Sequence, residues 1–405
     1  MSETVLIAGA GHAAGQVVAS FRQKKFDGKL VLLGDEPYLP YQRPPLSKKY
    51  LSGDLAEERL LFKPASFYAD ERIQVELNTP VIDLSLTDKT VQTGAGQFFA
   101  YDKLILALGS RARIIPLPGT ELGGVHYLRG IDDVNCLRQE IAPGNRMVIV
   151  GAGYIGLEVA AVCRSAGLDV TVVEMADSVM SRVVSPQISA FYQAQHEQHG
   201  VKFLLSAELA ALRGEHKVTS VELTNGDLIP ADLVLLAAGI VPNMELAEDA
   251  GLVIDNGIAV DDRCRTSDPD VYAIGDCCSH PSSIYGRRLR LESVHNALEQ
   301  AKTAVNNICG IEDHYSQVPW FWSDQYDIKL QIAGLSQGYD DVVLRGEQAD
   351  KKFSCFYLRE QKLIAVDAVN SPREFMRSKA LIAAQTTLDP AVLADPASDV
   401  TAAAQ

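Results

Sequence analysis

The sequence predicts an α/β protein with two Rossmann-like dinucleotide-binding units and a C-terminal α+β domain. Three observations predict it. A strand–turn–helix fingerprint of the form GxGxxA lies between Thr4 and Gly15. A second, in full GxGxxG form, lies between Met147 and Glu158. Two later segments, Tyr101 to Gly109 and Pro230 to Pro242, repeat one pattern: an acidic residue, an apolar strand and an Ala-x-Gly stop.

Val5 to Ala8 is an apolar run that suits a buried parallel strand. Gly9 permits the tight turn after it, Gly11 lets backbone approach a pyrophosphate, and Ala14 lets the helix pack close on the strand. The N-terminus of that helix offers free N–H groups and a positive dipole end to phosphates. Gln16 to Lys24 reads as the helix and Leu30 to Leu33 as the next strand. An acid after that strand accepts hydrogen bonds from a ribose, and Asp35 and Glu36 both stand there. Pro40 to Lys48 is stiffened by three prolines and makes a wall for the reactive end of a cofactor. Lys48 is its notable cation, read on composition as a surface lysine after a loop, or else as a charge that would stabilise added electron density on a cofactor. Val75 to Gln97 is a strand-rich insert. Arg43 in the stiff loop, and Ala107 and Gly109 at the closing strand, are further cofactor-binding candidates.

Gly144 to Gly239 repeats the plan. Gly151, Gly153 and Gly156 form the fingerprint, with Ile155 inside it and Gly239 at the closing strand. The helix runs from about Tyr154 to Ala166, and Val170 to Val173 is the next strand. Glu174 ends that strand with no arginine immediately after it. An acid there accepts from a free 2′-hydroxyl and repels a 2′-phosphate, so NADH is expected over NADPH. Glu158, near the helix start, either complements the helix dipole or reaches Lys48 across a domain interface. Thr266 to Asp276 reads as a strand ending on Asp276 at a helix start. Beyond Arg287, Arg288 and Arg290, Glu292 to Ile308 reads as a helix opened by Val294. Both tryptophans fall in PWFWSDQY, from Pro319. The segments Ile328 to Gly334, Asp341 to Arg345, Lys352 to Leu358 and Leu363 to Ala368 then alternate like antiparallel strands. Ser371 to Glu374 reads as a capping box with proline at the first helical position. Asp389 to Gln405 is small and polar and is expected to fray.

The 405 residues carry 37 Lys and Arg against 52 Asp and Glu, a net charge of −15. That balance argues against nucleic acid and anionic membrane as partners. No apolar run reaches the length of a membrane span, and the N-terminus has no basic n-region, so the cytoplasm is expected. None of the seven cysteines forms a CxxC pair. Zinc sites and redox dithiols are therefore not expected, no metal is assigned, and the adjacent Cys277 and Cys278 read as ordinary thiols.

The order GxGxxA, RPPLSK, LALGSRAR, GAGYIGLE, LLAAGIVPN, TSDPDVYAIGDC, ESVHNALEQA and PWFWSDQY resembles the oxygenase-coupled NADH-dependent ferredoxin reductases. The putidaredoxin reductase type, which serves bacterial cytochrome P-450 systems, is the nearest in pattern. The resemblance reaches to about Lys379. It implies a glutathione-reductase-like fold. FAD would be bound by residues 1–112 and 245–319, NAD by 113–244, and residues 320–405 would form a C-terminal domain at the flavin face. It implies FAD contacts at Ala13, Asp35, Lys48, Val81, Arg129, Asp276 and Val294. Tyr154 matches an aromatic on the nicotinamide side of the flavin, Trp322 one near the opposite edge, and Lys48 and Glu158 an ion pair beside the ring. Unlike related disulfide reductases and peroxidases, the chain has no cysteine in or near RPPLSK, which argues against a thiol relay. The activity so implied is transfer of electrons from NADH to a 2Fe-2S ferredoxin, by a monomer or weak dimer. Arg287, Arg288, Arg290 and Lys302 are candidates for docking that acidic partner. The alternatives are an NADH oxidase or quinone reductase, and a flavin redox sensor resembling apoptosis-inducing factor.

Overall fold

The computed structural model describes residues 3–69 and 73–405. The chain divides into two compact units. One comprises Met1–Arg43, Glu57–Arg111 and Val241–Trp320, and the other Pro44–Ala56, Ala112–Ile240 and Phe321–Gln405.

The first unit is built on a five-stranded sheet ordered Val271–Ala273, Lys103–Leu106, Thr4–Ala8, Lys29–Leu33, Ile73–Glu76. All four pairings in it are parallel. A parallel sheet is covered on both faces, which is why its strands are continuous apolar runs and Val5 to Ala8 are wholly buried. Helix His12–Gln23 packs against Val294–Ile308. Small residues at the contact, Ala13, Ala14, Ala297, Ala301 and Ala304, let the two helices approach.

The second unit repeats the order from the opposite end of the sheet: Lys202–Leu204, Asp169–Val173, Arg146–Val150, Leu233–Leu236, Val125–His126. In both units the fingerprint strand is central, and its neighbours are the next strand of the βαβ unit and the closing strand. A three-stranded antiparallel insert precedes each closing strand, at Val81–Ala100 and at Leu209–Pro230. The internal repeat in the sequence is therefore a repeat of topology. Only the edge strand differs in origin: Val271–Ala273 follows its closing strand, whereas Val125–His126 precedes the whole second βαβ unit.

The second unit also carries an antiparallel sheet ordered Trp320–Gln325, Ile328–Gly334, Lys362–Val369, Lys352–Arg359, Asp341–Glu347, with helix Pro372–Ala383 against it.

Four expectations are corrected. Ser371 makes no capping bond; its hydroxyl donates to the Val369 carbonyl, although proline does occupy the helix start. The tail is packed rather than frayed. Leu393, Val400 and Ala403 are buried, and the buried Arg345 guanidinium donates to the carbonyls of Leu393 and Asp395. Asp389 and Asp399 cap the two short tail helices. Asp276 sits in a short 3-10 turn, Gly275–Cys277, that leads into strand Cys278–Ser282 rather than a helix. Glu158 lies in the second turn of helix Tyr154–Ser165, beyond the reach of the helix N-terminal charge.

Candidate functional site

The two fingerprints have the backbone that phosphate binding requires. Gly9 adopts φ +108°, and a Cβ there would lie 2.2 Å from the Ala107 carbonyl oxygen. Gly151 has the same φ, and its Cβ would lie 2.5 Å from the Ala237 carbonyl oxygen. Only glycine fits either turn. Gly11 and Gly153 face open space, so a large group can meet their backbone directly. Gly156 packs on the Gly151 carbonyl, where a Cβ would come within 2.1 Å. The helices that follow have Gly11 and Gly153 as N-caps, with no capping side chain and no acid in the first turn. Helices Pro186–Gln198 and Val294–Ile308, by contrast, are capped by Ser185 and Ser293. The fingerprint helix of each unit thus presents its first N–H groups to an anion.

The acids after the second strands differ in their engagement. Glu174 is fixed in the turn, accepting from the Ala152 N–H at 2.7 Å and the Ala176 N–H at 2.9 Å. Each carboxylate oxygen keeps a further lone pair for a ribose hydroxyl. In the first unit Glu36 accepts from the Tyr41 hydroxyl at 2.6 Å and from Arg43 at 2.5 Å, while the Asp35 side chain is exposed. Asp276 is oriented by the Ser110 hydroxyl, 2.7 Å away. Gly275 beside it, at φ +80°, donates to the buried Gln300 amide oxygen. Ala13 is buried beneath this turn, and Val294 opens its helix. Val81 starts its strand and is half-buried.

Within the second unit, the Lys48 ammonium lies 2.6 Å from Glu158 Oε2. Both residues belong to this one compact unit, so the pair is internal to it. The stiff loop folds as the 3-10 turn Pro44–Ser47, which puts Ser47 and Lys48 on the same carboxylate. Ser47 Oγ donates to Glu158 Oε2 at 2.5 Å, and Ser323 Oγ donates to Oε1 at 2.7 Å. Lys48 also donates to the Pro44 carbonyl at 3.2 Å. Glu158 is 4 % exposed and the Lys48 side chain 17 %, so the carboxylate is the more deeply buried partner. Tyr154, the first residue of the same helix, has its pKa pushed well above the usual phenol range by burial, with the charges of Asp367, Tyr192 and Glu158 adding to it, and stays neutral. Trp322 is half-buried on strand Trp320–Gln325. Sequence reasoning missed Ser47 and Ser323, although both lie inside quoted motifs.

The seven thiols are free, and burial raises Cys277 to about 11 and Cys278 well above its ordinary value. Neither is poised as a thiolate nucleophile.

Residues 3–301 match the family described as pyridine nucleotide-disulphide oxidoreductase, and residues 320–404 match the reductase C-terminal family. The chain belongs to the pyridine nucleotide-disulphide oxidoreductases. It is 42 % identical over 393 residues to rhodocoxin reductase of Rhodococcus erythropolis, an alignment covering 97 % of this chain and 92 % of that relative. It is 39 % identical over 413 residues to putidaredoxin reductase of Pseudomonas putida, covering 100 % and 98 %. The crystal structure of a covalent putidaredoxin reductase–putidaredoxin complex is similar with a TM-score of 0.96 at 39 % identity, covering 98 % of this chain and 97 % of that one. The predicted fold class is that of this family: two dinucleotide-binding units and a C-terminal reductase domain. The oxidoreductase matches its family in fold without a disulfide among the described residues, and no helix among them is long and apolar enough to cross a membrane.

Among the cations expected at a docking surface, Arg288 lies against Asp255, Arg290 against Glu292 and Lys302 against Glu299. Arg288 also donates to the carbonyls of Val260 and Ser279, which fixes it to the fold. Arg287 and Arg288 lie on the strand Arg287–Leu289, ahead of the helix.

Proposed function

We propose that this chain is an NADH:ferredoxin reductase, a flavoprotein that takes electrons from NADH and passes them to a 2Fe-2S ferredoxin serving a cytochrome P-450 type monooxygenase. The observation that carries the reading is the doubled phosphate cradle, two sheets of one strand order each with a glycine-turned, uncapped helix, in a chain that also builds the Lys48–Glu158 pair. Its relatives are named as rhodocoxin reductase, putidaredoxin reductase and a ferredoxin–NAD(P)+ reductase.

Bound FAD supplies the change from two-electron to one-electron chemistry. The chain supplies binding, orientation and charge. Gly9, Gly11 and the start of helix His12–Gln23 hold the FAD pyrophosphate. Asp35 takes the ribose, because Glu36 is committed to Tyr41 and Arg43. Arg43 acts through Glu36, and Ala13, Val81, Ala107, Gly109, Arg129, Asp276 and Val294 complete the FAD set. Gly151, Gly153, Ile155, Gly156, Glu174 and Gly239 hold NADH. FAD belongs to residues 1–112 and 245–319, NADH to 113–244, and 320–405 form the flavin-face domain. Lys48 presents a positive charge to the flavin ring, Glu158 holds Lys48, and Tyr154 and Trp322 flank the ring. No side-chain acid or base is required, so orientation and electrostatics are the protein's contribution. Seven free thiols, most of them buried, suit the reducing cytoplasm.

Ferredoxin docking at Arg287, Arg288, Arg290 and Lys302 works inside a field of net charge −15. Arg288 is held by backbone carbonyls and Lys302 lies against Glu299, so steering draws on the four cations together rather than on any one of them. Raising salt from roughly 0.05 to 0.5 M shortens the screening length and is expected to slow ferredoxin reduction severalfold. Stopped-flow rates at both salts check this. A salt-independent rate removes the patch from the docking surface, and electrons diverted to hydrogen peroxide in the presence of ferredoxin would favour an oxidase.

A further inference from the structure

The hydrogen bonding that begins at Lys48 does not end at Glu158. It continues through the second unit in one unbroken chain. Ser323 Oγ donates to Glu158 Oε1 at 2.7 Å, and Gln325 Nε2 donates to Ser323 Oγ at 3.1 Å. Gln325 Oε1 lies 2.8 Å from His196 Nε2, and His196 Nδ1 lies 3.2 Å from the Tyr326 hydroxyl. Tyr326 stacks on the exposed His199 ring at 3.7 Å, which brings the chain to the surface. Ser323, Gln325 and His196 are 0 %, 1 % and 0 % exposed, so these contacts form without solvent. Strand Trp320–Gln325 explains the placement: its period of two sends Ser323 and Gln325 to one face and Trp322 to the other.

The chain has a single sense. Glu158, paired with Lys48, can only accept, so Ser323 must donate to it. The Ser323 oxygen then accepts from the Gln325 amide nitrogen, which turns the amide oxygen toward His196. His196 must therefore carry its proton on Nε2 and accept from Tyr326 at Nδ1. Burial lowers the His196 pKa to about 4, in keeping with that neutral tautomer. Gln325 cannot hand on a proton without abandoning its amide form, so the chain orients rather than conducts. Fold stability alone does not call for it, because an apolar core of the same shape serves as well.

We propose that Ser323, Gln325 and His196 are positioning residues that fix the Glu158 carboxylate and take up part of its charge, and so set how strongly the Lys48 ammonium stabilises electrons on the bound flavin. The proposal rests on the reading that Lys48 faces the flavin. Without the Ser323 donor, Glu158 draws harder on Lys48 and cancels more of its field.

The test is the FAD midpoint potential of the holoprotein, titrated anaerobically, for Ser323→Ala, Gln325→Met, Glu158→Gln and the two double variants that include Glu158→Gln. Two independent single variants are used so that loss of FAD in one does not decide the outcome. Ser323→Ala and Gln325→Met are each expected to weaken stabilisation of the reduced flavin roughly tenfold, about 30 mV more negative for a two-electron couple. Glu158→Gln is expected to move the potential the other way, and neither chain substitution adds to it in the double variants. A shift in Glu158→Gln with silent Ser323→Ala and Gln325→Met overturns the chain and leaves the Lys48–Glu158 site standing. A silent Glu158→Gln overturns both. Fully additive shifts in the doubles also overturn the proposal, because the chain then acts by some route other than Glu158.

Discussion

Lys48→Ala is expected to slow NADH reduction of the bound flavin about ten- to a hundredfold while changing NADH affinity little. Lys48 is the cation of the site, 2.6 Å from a carboxylate that is 4 % exposed. A hydrogen bond to a charged group is worth about 1.5–3 kcal/mol, which corresponds to that range of rate. The interaction grows as electron density arrives, so the loss falls on the rate rather than on binding. Anaerobic stopped-flow bleaching of the flavin at saturating NADH measures it, and unchanged bleaching removes Lys48 from the mechanism. Lys48→Ala also strands the buried Glu158 charge with only Ser47 and Ser323 as donors. Stability lost in this way is expected to return in part in the Lys48→Ala/Glu158→Gln double variant, because the uncompensated carboxylate is then gone.

Glu174→Arg is expected to raise the KM for NADH about ten- to a hundredfold and to lower that for NADPH. The wild-type carboxylate is pre-set by the Ala152 and Ala176 N–H groups, so it meets ribose hydroxyls without rearrangement. Losing hydrogen bonds to a charged acceptor costs about 1.5–3 kcal/mol, and each 1.4 kcal/mol is a factor of ten. The guanidinium adds a partner for a 2′-phosphate. Glu174→Gln keeps one acceptor oxygen and loses one of the two turn hydrogen bonds, and a smaller effect than that of Glu174→Arg is expected of it. Steady-state kinetics with both nucleotides decide the matter. Unchanged constants for NADH in Glu174→Arg mean that the ribose is read elsewhere.

The parallel sheets were legible because their strands are buried on both faces and must be continuously apolar, and because the glycine turns admit no other residue. Gly9 and Gly151 need φ +108°, and that requirement is written directly in sequence. The pairing of Glu158 with Lys48 was one of two roles read for that acid, and only motif resemblance singled it out, since 110 residues separate the two. Ser323 and Gln325 were hidden for a different reason. The motif PWFWSDQY draws attention to its tryptophans, yet the alternation of a strand places its polar residues on the opposite face, toward Glu158. The tail was misread because small polar residues suggest fraying. What orders it is Arg345, about 50 residues away, whose guanidinium satisfies tail carbonyls. The capping box at Ser371 failed because its hydroxyl is turned to donate to the Val369 carbonyl and accepts from no helix N–H.

The most direct test of the central claim is anaerobic and sequential: mix the FAD-loaded protein with NADH, then add an oxidised 2Fe-2S ferredoxin and follow both chromophores. The account predicts fast bleaching of the flavin, followed by bleaching of the ferredoxin as the flavin colour returns. Fast flavin bleaching with no transfer to any of a panel of ferredoxins would contradict it and move the acceptor to oxygen, quinone or a sensing partner.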